Sequence, residues 1–145
     1  MRITVAAILL LAAAAPARPV SLPPFVAGGQ PILLRLEGAI SPDAARHDGA
    51  FTLVQIGFLR SDHAPSWLGV TDVRVIGGND SVLGKDVLDA LAPLRPNLLA
   101  AGPEDLVARL RDAPPGTRVQ LEGLLRWPRM YHLRTVQFVG DASAR

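Results

Sequence analysis

Apolar and polar residues alternate through Ile32-Leu33-Leu34-Arg35-Leu36-Glu37-Gly38-Ala39-Ile40, which puts Ile32, Leu34, Leu36 and Ile40 on one face and Arg35 and Glu37 on the other. A two-residue period of this kind marks a strand with one buried face. It predicts a first strand over Ile32 to Ile40, stopped by Ser41-Pro42-Asp43. Phe51 to Leu59 is almost continuously apolar, as in a strand covered on both sides. A third run covers Trp67 to Ile76, where Val70, Val73 and Val75 leave strict alternation, and a bulge near Thr71-Asp72 would restore the phase. The period then changes. Leu83, Val87, Leu88 and Leu91 recur at helical spacing until Pro93 and Pro96 interrupt them. A second helix is marked by Pro103 at a first-turn position, by Glu104-Asp105 at the positive end of the dipole and by the stripe Leu106, Val107, Leu110. Pro114-Pro115-Gly116 closes it. Strand patterning returns over Arg118 to Trp127 and Tyr131 to Val139, and the intervening Pro128-Arg129-Met130 is short enough to make the pair a hairpin.

The first and fourth strands share the sequence Leu-Glu-Gly, at Leu36-Glu37-Gly38 and Leu121-Glu122-Gly123. Glycine inside a barrel strand marks a bulge or a sharp coil of the sheet, and Gly38, Gly57 and Gly123 are read in that way. Nothing around Phe51 to Ile76 recurs after Tyr131, so the likeness is read as two strands meeting one coiling requirement rather than as a duplication.

Five strands with helices only between the third and fourth resemble the oligonucleotide/oligosaccharide-binding (OB) fold, an all-β class with an α insert built as a five-stranded Greek-key barrel. The resemblance covers Pro31 to Val139 at the level of element order and turns, and Pro115 to Gly123 resembles the approach to the fourth strand in many OB domains. Small exported bacterial OB domains, including periplasmic stress proteins, are similar in size, leader and order of elements. Their acidic segment after the second strand is replaced here by Gly57-Phe58-Leu59-Arg60-Ser61, and the insert Val82 to Asp112 is long for them. A stress or cation-binding role is therefore not carried over. The resemblance does imply a ligand groove made by the first-to-second loop, the fourth-to-fifth loop and the face of the second and third strands.

Ahead of this domain, Met1-Arg2 gives a positive start, Ile3 to Ala15 an apolar core and Ala15-Pro16-Ala17 a small-x-small site. The apolar core has about half of the roughly twenty residues that cross a bilayer. The segment reads as a cleaved export signal over residues 1–17, with an uncleaved membrane anchor as the alternative. Arg18 to Gln30, rich in Pro and Gly, reads as a flexible leader, with the domain over residues 31–140 and a tail over 141–145. Export points to a periplasmic or secreted protein with no stable membrane span after cleavage. No cysteine is present, so disulfides cannot staple the fold and its stability must come from burial.

The net charge of only +2 carries no strong field for a polyanion, despite a pI near 9.9. No Gly-x-Ser-x-Gly elbow occurs, and Asp86 after Lys85 breaks any phosphate-loop pattern at Gly77 to Lys85. His47, His63 and His132, beside Asp43, Asp48 and Asp62, lack metal-ligand spacing, so no metal or cofactor is expected. The most suggestive stretch is Arg126-Trp127-Pro128-Arg129-Met130-Tyr131-His132-Leu133-Arg134, where arginines that pair with anions interleave with rings that stack. Trp67, Arg126, Arg129, Tyr131, His132 and Arg134 are the candidate ligand-binding residues. Trp127 either extends the inward series Val119, Leu121, Leu125 or joins the binding face. The expected function is a non-enzymatic exported binding module of the cell envelope, taking an envelope protein or peptide or a small anionic or sugar ligand. A single-stranded nucleic-acid binder is the alternative, and a small hydrolase using a His/Asp pair comes after it. The leader generates one direct test: mass spectrometry of exported protein should give a mature chain beginning near Arg18, and an intact Met1 would replace cleavage with anchoring.

Overall fold

A computed structural model describes residues 31–42, 50–60, 62–78, 82–126 and 128–139. The expected export signal, the leader, the tail, His47 and Trp127 lie outside the described residues. The elements are β1 (Ile32–Ser41), β2 (Thr52–Phe58), β3 (Ser66–Gly77), α1 (Gly84–Leu91), β4 (Leu98–Ala101), α2 (Glu104–Arg111), β5 (Thr117–Arg126) and β6 (Met130–Phe138). The strands close a barrel in the order β1-β3-β2-β4-β6-β5.

The all-β barrel class matches the sequence reading, but the details correct it. Six strands rather than five form the wall, because Leu98–Ala101 is a strand that separates the two helices. It pairs in parallel with β2 on one side and β6 on the other, so both of its edges are occupied. β3 lies between β1 and β2 in the wall and pairs with both.

Alternation translates directly into burial. Ile32, Leu34, Leu36 and Ile40 of β1 and Val119, Leu121 and Leu125 of β5 all point into the core, while Arg35 and Glu122 face outward across the strand pair and form an ion pair of 3.0 Å. Both Leu-Glu-Gly glycines sit at breaks of register. Opposite Glu37-Gly38, Thr71 of β3 is left unmatched, and opposite Glu122-Gly123, Arg134 of β6 is left unmatched. The phase slip expected near Thr71-Asp72 is this bulge, and the Thr71 hydroxyl donates to the Glu37 carbonyl at 3.2 Å. A Cβ on Gly38 would collide with the Gly69 carbonyl, and one on Gly123 would lie 2.7 Å from the His132 carbonyl oxygen and 2.9 Å from the Tyr131 ring. Each strand therefore needs glycine where its neighbour crosses closest.

Tyr131, expected on the ligand-binding face, is instead a core residue with no exposed surface. Its ring lies over Gly123 and its hydroxyl donates to the Leu34 carbonyl at 2.8 Å, so a β6 side chain passes over β5 to reach β1. The missing Cβ of Gly123 makes that passage possible, and the buried hydroxyl requires a partner that Leu34 supplies.

The helices cover what the strands leave open. α1 turns Val87, Leu88 and Leu91 into the core, and its Gly84 sits directly against the Val73 backbone. α2 lies along β6 beyond the short β4, where the Arg109 guanidinium donates to the Val136 carbonyl at 2.9 Å.

Burial, and secondarily the charge of Glu122, push the ionisation of Tyr131 well above the ordinary phenol range. The unfolded chain loses this proton near pH 10 while the folded chain keeps it, so stability should be fully present below about pH 10 and fall at higher pH by up to roughly 1.4 kcal/mol per unit. As Tyr131 is the sole tyrosine, phenolate absorbance in alkaline urea titrations reports it directly and should rise only with unfolding. Tyr131→Phe should lower stability by roughly 0.5–1.5 kcal/mol at neutral pH, by removing the buried bond to the Leu34 carbonyl, and should lack this component of the alkaline loss. Phenolate formation in the folded protein near pH 10 would contradict the assignment.

Candidate functional site

β2 and β4 are staggered. β2 pairs with β3 from Thr52 onward, but on its other edge the first β4 partner is Leu98, opposite Ile56. Just before that point the Gln55 N–H donates at 2.7 Å to the side-chain oxygen of Asn97. The Asn97 amide nitrogen in turn donates to the carbonyls of Leu91 at 3.0 Å and Leu94 at 2.9 Å. One buried amide thus continues the sheet ladder and satisfies carbonyls at the end of α1, using its acceptor and its donors at once.

The same bend fastens the last hairpin. The Arg129 guanidinium donates to the carbonyls of Arg95 and Pro96, each at 3.2 Å, and the Leu99 N–H donates to the Arg129 carbonyl at 2.9 Å. Pro96 rests on the outer side of Gly57, where a Cβ would come within 2.8 Å of its ring. Nη1 of Arg95 donates to the Ala92 and Leu94 carbonyls at 2.8 and 2.7 Å, which fixes this exposed cation beside β2.

Along β2 the core takes Val54 and Ile56, leaving Leu53 and Gln55 outside; along β3 it takes Leu68, leaving Trp67 half-buried. Trp67 is the register partner of Gln55. Trp67, Gln55 and the Arg95-Pro96 bend with Arg129 therefore follow one another across the outside of the wall, with buried Asn97 joining Gln55 to the bend. Half-buried Leu99 and Met130, themselves register partners, continue the surface on β4 and β6. Between β2 and α1 the surface opens into a notch of about 130 Å³, lined by Thr52, Leu53, Val54, Leu88, Ala92 and Arg95 among others.

The structure thus joins Trp67 to Arg129 through β2 and places exposed Arg126 opposite Met130 at the hairpin. His132 and Arg134 are also exposed, farther along β6, with Arg134 at the bulge. Tyr131 is separated from all of them by its place in the core. Arg129, expected to be free for ligand, spends part of its donor set on the 95–96 bend. His63 stands edge-on to Phe58 at 5.7 Å. Among the described residues no three His, Asp or Glu side chains gather as metal ligands.

Leu53, Arg95 and Asn97 are the residues that sequence reading missed. The signal for Asn97 was its place directly after Pro93-Leu94-Arg95-Pro96, since a helix broken by prolines leaves carbonyls needing donors. Comparison with protein-family models, with curated proteins and with solved structures finds no match to this chain.

Asn97→Ala should cost roughly 1–3 kcal/mol, by removing the acceptor of the Gln55 N–H and the second donor to the Leu91 and Leu94 carbonyls. Urea melts read this loss, and amide exchange at Gln55 should rise with it; a variant as stable as the parent would show that the bend holds without its amide.

Proposed function

We propose that this chain is a non-enzymatic, exported binding domain of the cell envelope, whose ligand face is the outer surface of β2 and β3 with the adjoining β5–β6 hairpin. Its ligand is a protein or peptide segment of acidic and apolar character. The observation that supports this reading best is the attachment of the hairpin, by Arg129, to the bend carrying Arg95, because it holds arginines beside the half-buried apolar surface of Trp67, Leu99 and Met130. Arginine and tryptophan next to apolar surface are the residue types that dominate binding energy at protein interfaces. Arginines elsewhere on the barrel differ in this respect: Arg35 of β1 and Arg74, on the part of β3 beyond its pairing with β2, are paired with Glu122 and Asp72 at 3.0 and 3.2 Å.

A single-stranded nucleic-acid ligand would use the same cations but needs rings on which bases stack. With Tyr131 in the core, the hairpin loses one ring of the interleaved pattern that favoured that reading.

The test uses the mature chain against a displayed random peptide library and against labelled poly-dT. Trp67→Ala and Arg126→Ala should each weaken binding of the selected peptides about tenfold, equivalent to roughly 1.4 kcal/mol, with Arg74→Ala as the neutral control. Melting temperatures of all three should stay within a few degrees of the parent. Salt-sensitive poly-dT binding that exceeds peptide binding would replace this reading with the nucleic-acid one.

A further inference from the structure

We propose that the notch between β2 and α1 anchors one apolar side chain of an extended partner segment, whose main chain adds to the free edge of β2 and whose flanking carboxylates meet Lys85 and Arg95. This inference rests on the binding reading above and names the form that its ligand takes. The N–H groups of Gln55 and Leu59 point toward the β4 side, to the Asn97 side-chain oxygen and the Ala100 carbonyl. Because backbone groups alternate with a period of two, the N–H and C=O of Leu53 point the same way. β4 has not yet begun at that level, so the edge there faces the notch rather than a strand. An edge carrying a donor and an acceptor on one residue is matched by another polypeptide in extended form, the basis of recognition by strand addition.

The size and lining of the notch select the anchor. About 130 Å³ is close to the roughly 150 Å³ that accommodates a benzene-sized group in an apolar cavity, so it takes a single aliphatic or aromatic side chain. Val54, Leu88 and Leu91 supply its apolar part, Thr52, Arg95 and Asn97 supply polar atoms, and Leu53 and Phe51 remain 38% and 47% exposed on the β2 side.

The charges select what flanks that anchor. Lys85 and Leu88 of α1 and Ala92 at its C-cap follow one another at helical spacing; Leu88, Ala92 and Arg95 line the notch, and Lys85 stands one turn before them. The Lys85 ammonium lies 5.6 Å from the centre of the exposed Phe51 ring, beside the start of β2. The exposed Asp86 and Asp89 of the same helix disfavour a continuous acidic run, which leaves separated carboxylates on either side of an apolar residue as the fitting pattern.

The experiment selects peptides from a displayed random library on the mature chain, then measures the best binders by fluorescence anisotropy and amide exchange. Ala92→Phe fills the notch from an exposed position, and Arg95→Glu reverses the charge at its end. Each should lower affinity at least tenfold, Ala92→Phe with unchanged melting temperature and Arg95→Glu with a small decrease from the loss of its bonds to the Ala92 and Leu94 carbonyls; the Leu53 amide should gain protection on binding, and the selected peptides should share an acidic-apolar-acidic pattern. Peptides that bind Ala92→Phe as tightly as the parent and leave Leu53 exchange unchanged, yet weaken on Trp67→Ala and Arg126→Ala, would overturn the notch while leaving the binding face standing. A library that yields no binder to the parent would overturn both.

Discussion

A phenol ring laid across a glycine sets the geometry of this barrel. Tyr131 crosses β5 where Gly123 has no side chain and ends on the Leu34 carbonyl of β1. Three consecutive strands are thereby tied at one depth by a group that is both a large apolar filler and a hydrogen-bond donor. The bulge at Arg134 adds to the local twist of β6 where this crossing takes place, and the equivalent bulge at Thr71, opposite Gly38, does the same between β1 and β3. The repeated Leu-Glu-Gly encodes one local solution used twice: leucine into the core, glutamate outward, glycine where the neighbouring strand presses closest.

That solution explains how far the fold was legible. Burial in β1 and β5 follows the alternation residue by residue, and the out-of-phase valines of β3 announced the Thr71 bulge. β4 was not legible, because Leu98-Leu99-Ala100-Ala101 is too short to show a period and lies between helical stretches. Its identity as a strand comes from β2 and β6, which present edges on either side of it, and tertiary pairing decides such segments where intrinsic preference is weak. Strand order was likewise invisible, since nothing in the apolar runs of β2 and β3 marks which of them lies against β1.

The candidate surface was legible in its residue types and misread in one orientation. Interleaved arginines and rings identified the last hairpin, yet a one-residue change of phase moves every side chain of a strand to the other face. Tyr131 and Leu133 took the inside, leaving His132 and Arg134 outside. Asn97 and Arg95 belong to a bend whose importance arises only when the hairpin, the end of α1 and the edge of β2 meet there.

Closing a barrel with a four-residue strand has a further consequence. Strands flanking so short a partner extend beyond it and expose backbone groups that must find other partners. β6 meets this requirement with α2, whose Arg109 reaches the Val136 carbonyl. β2 meets it with a single amide, Asn97, which serves Gln55 but reaches no farther along the edge. The two ends of the same mismatch are therefore treated differently: one is covered by a helix, and the other is left beside a notch with a cation fixed next to it. The bond that completes the wall at Gln55 also marks where its hydrogen-bonding pattern stops, so closure of the barrel and the position of the proposed docking edge have one structural origin.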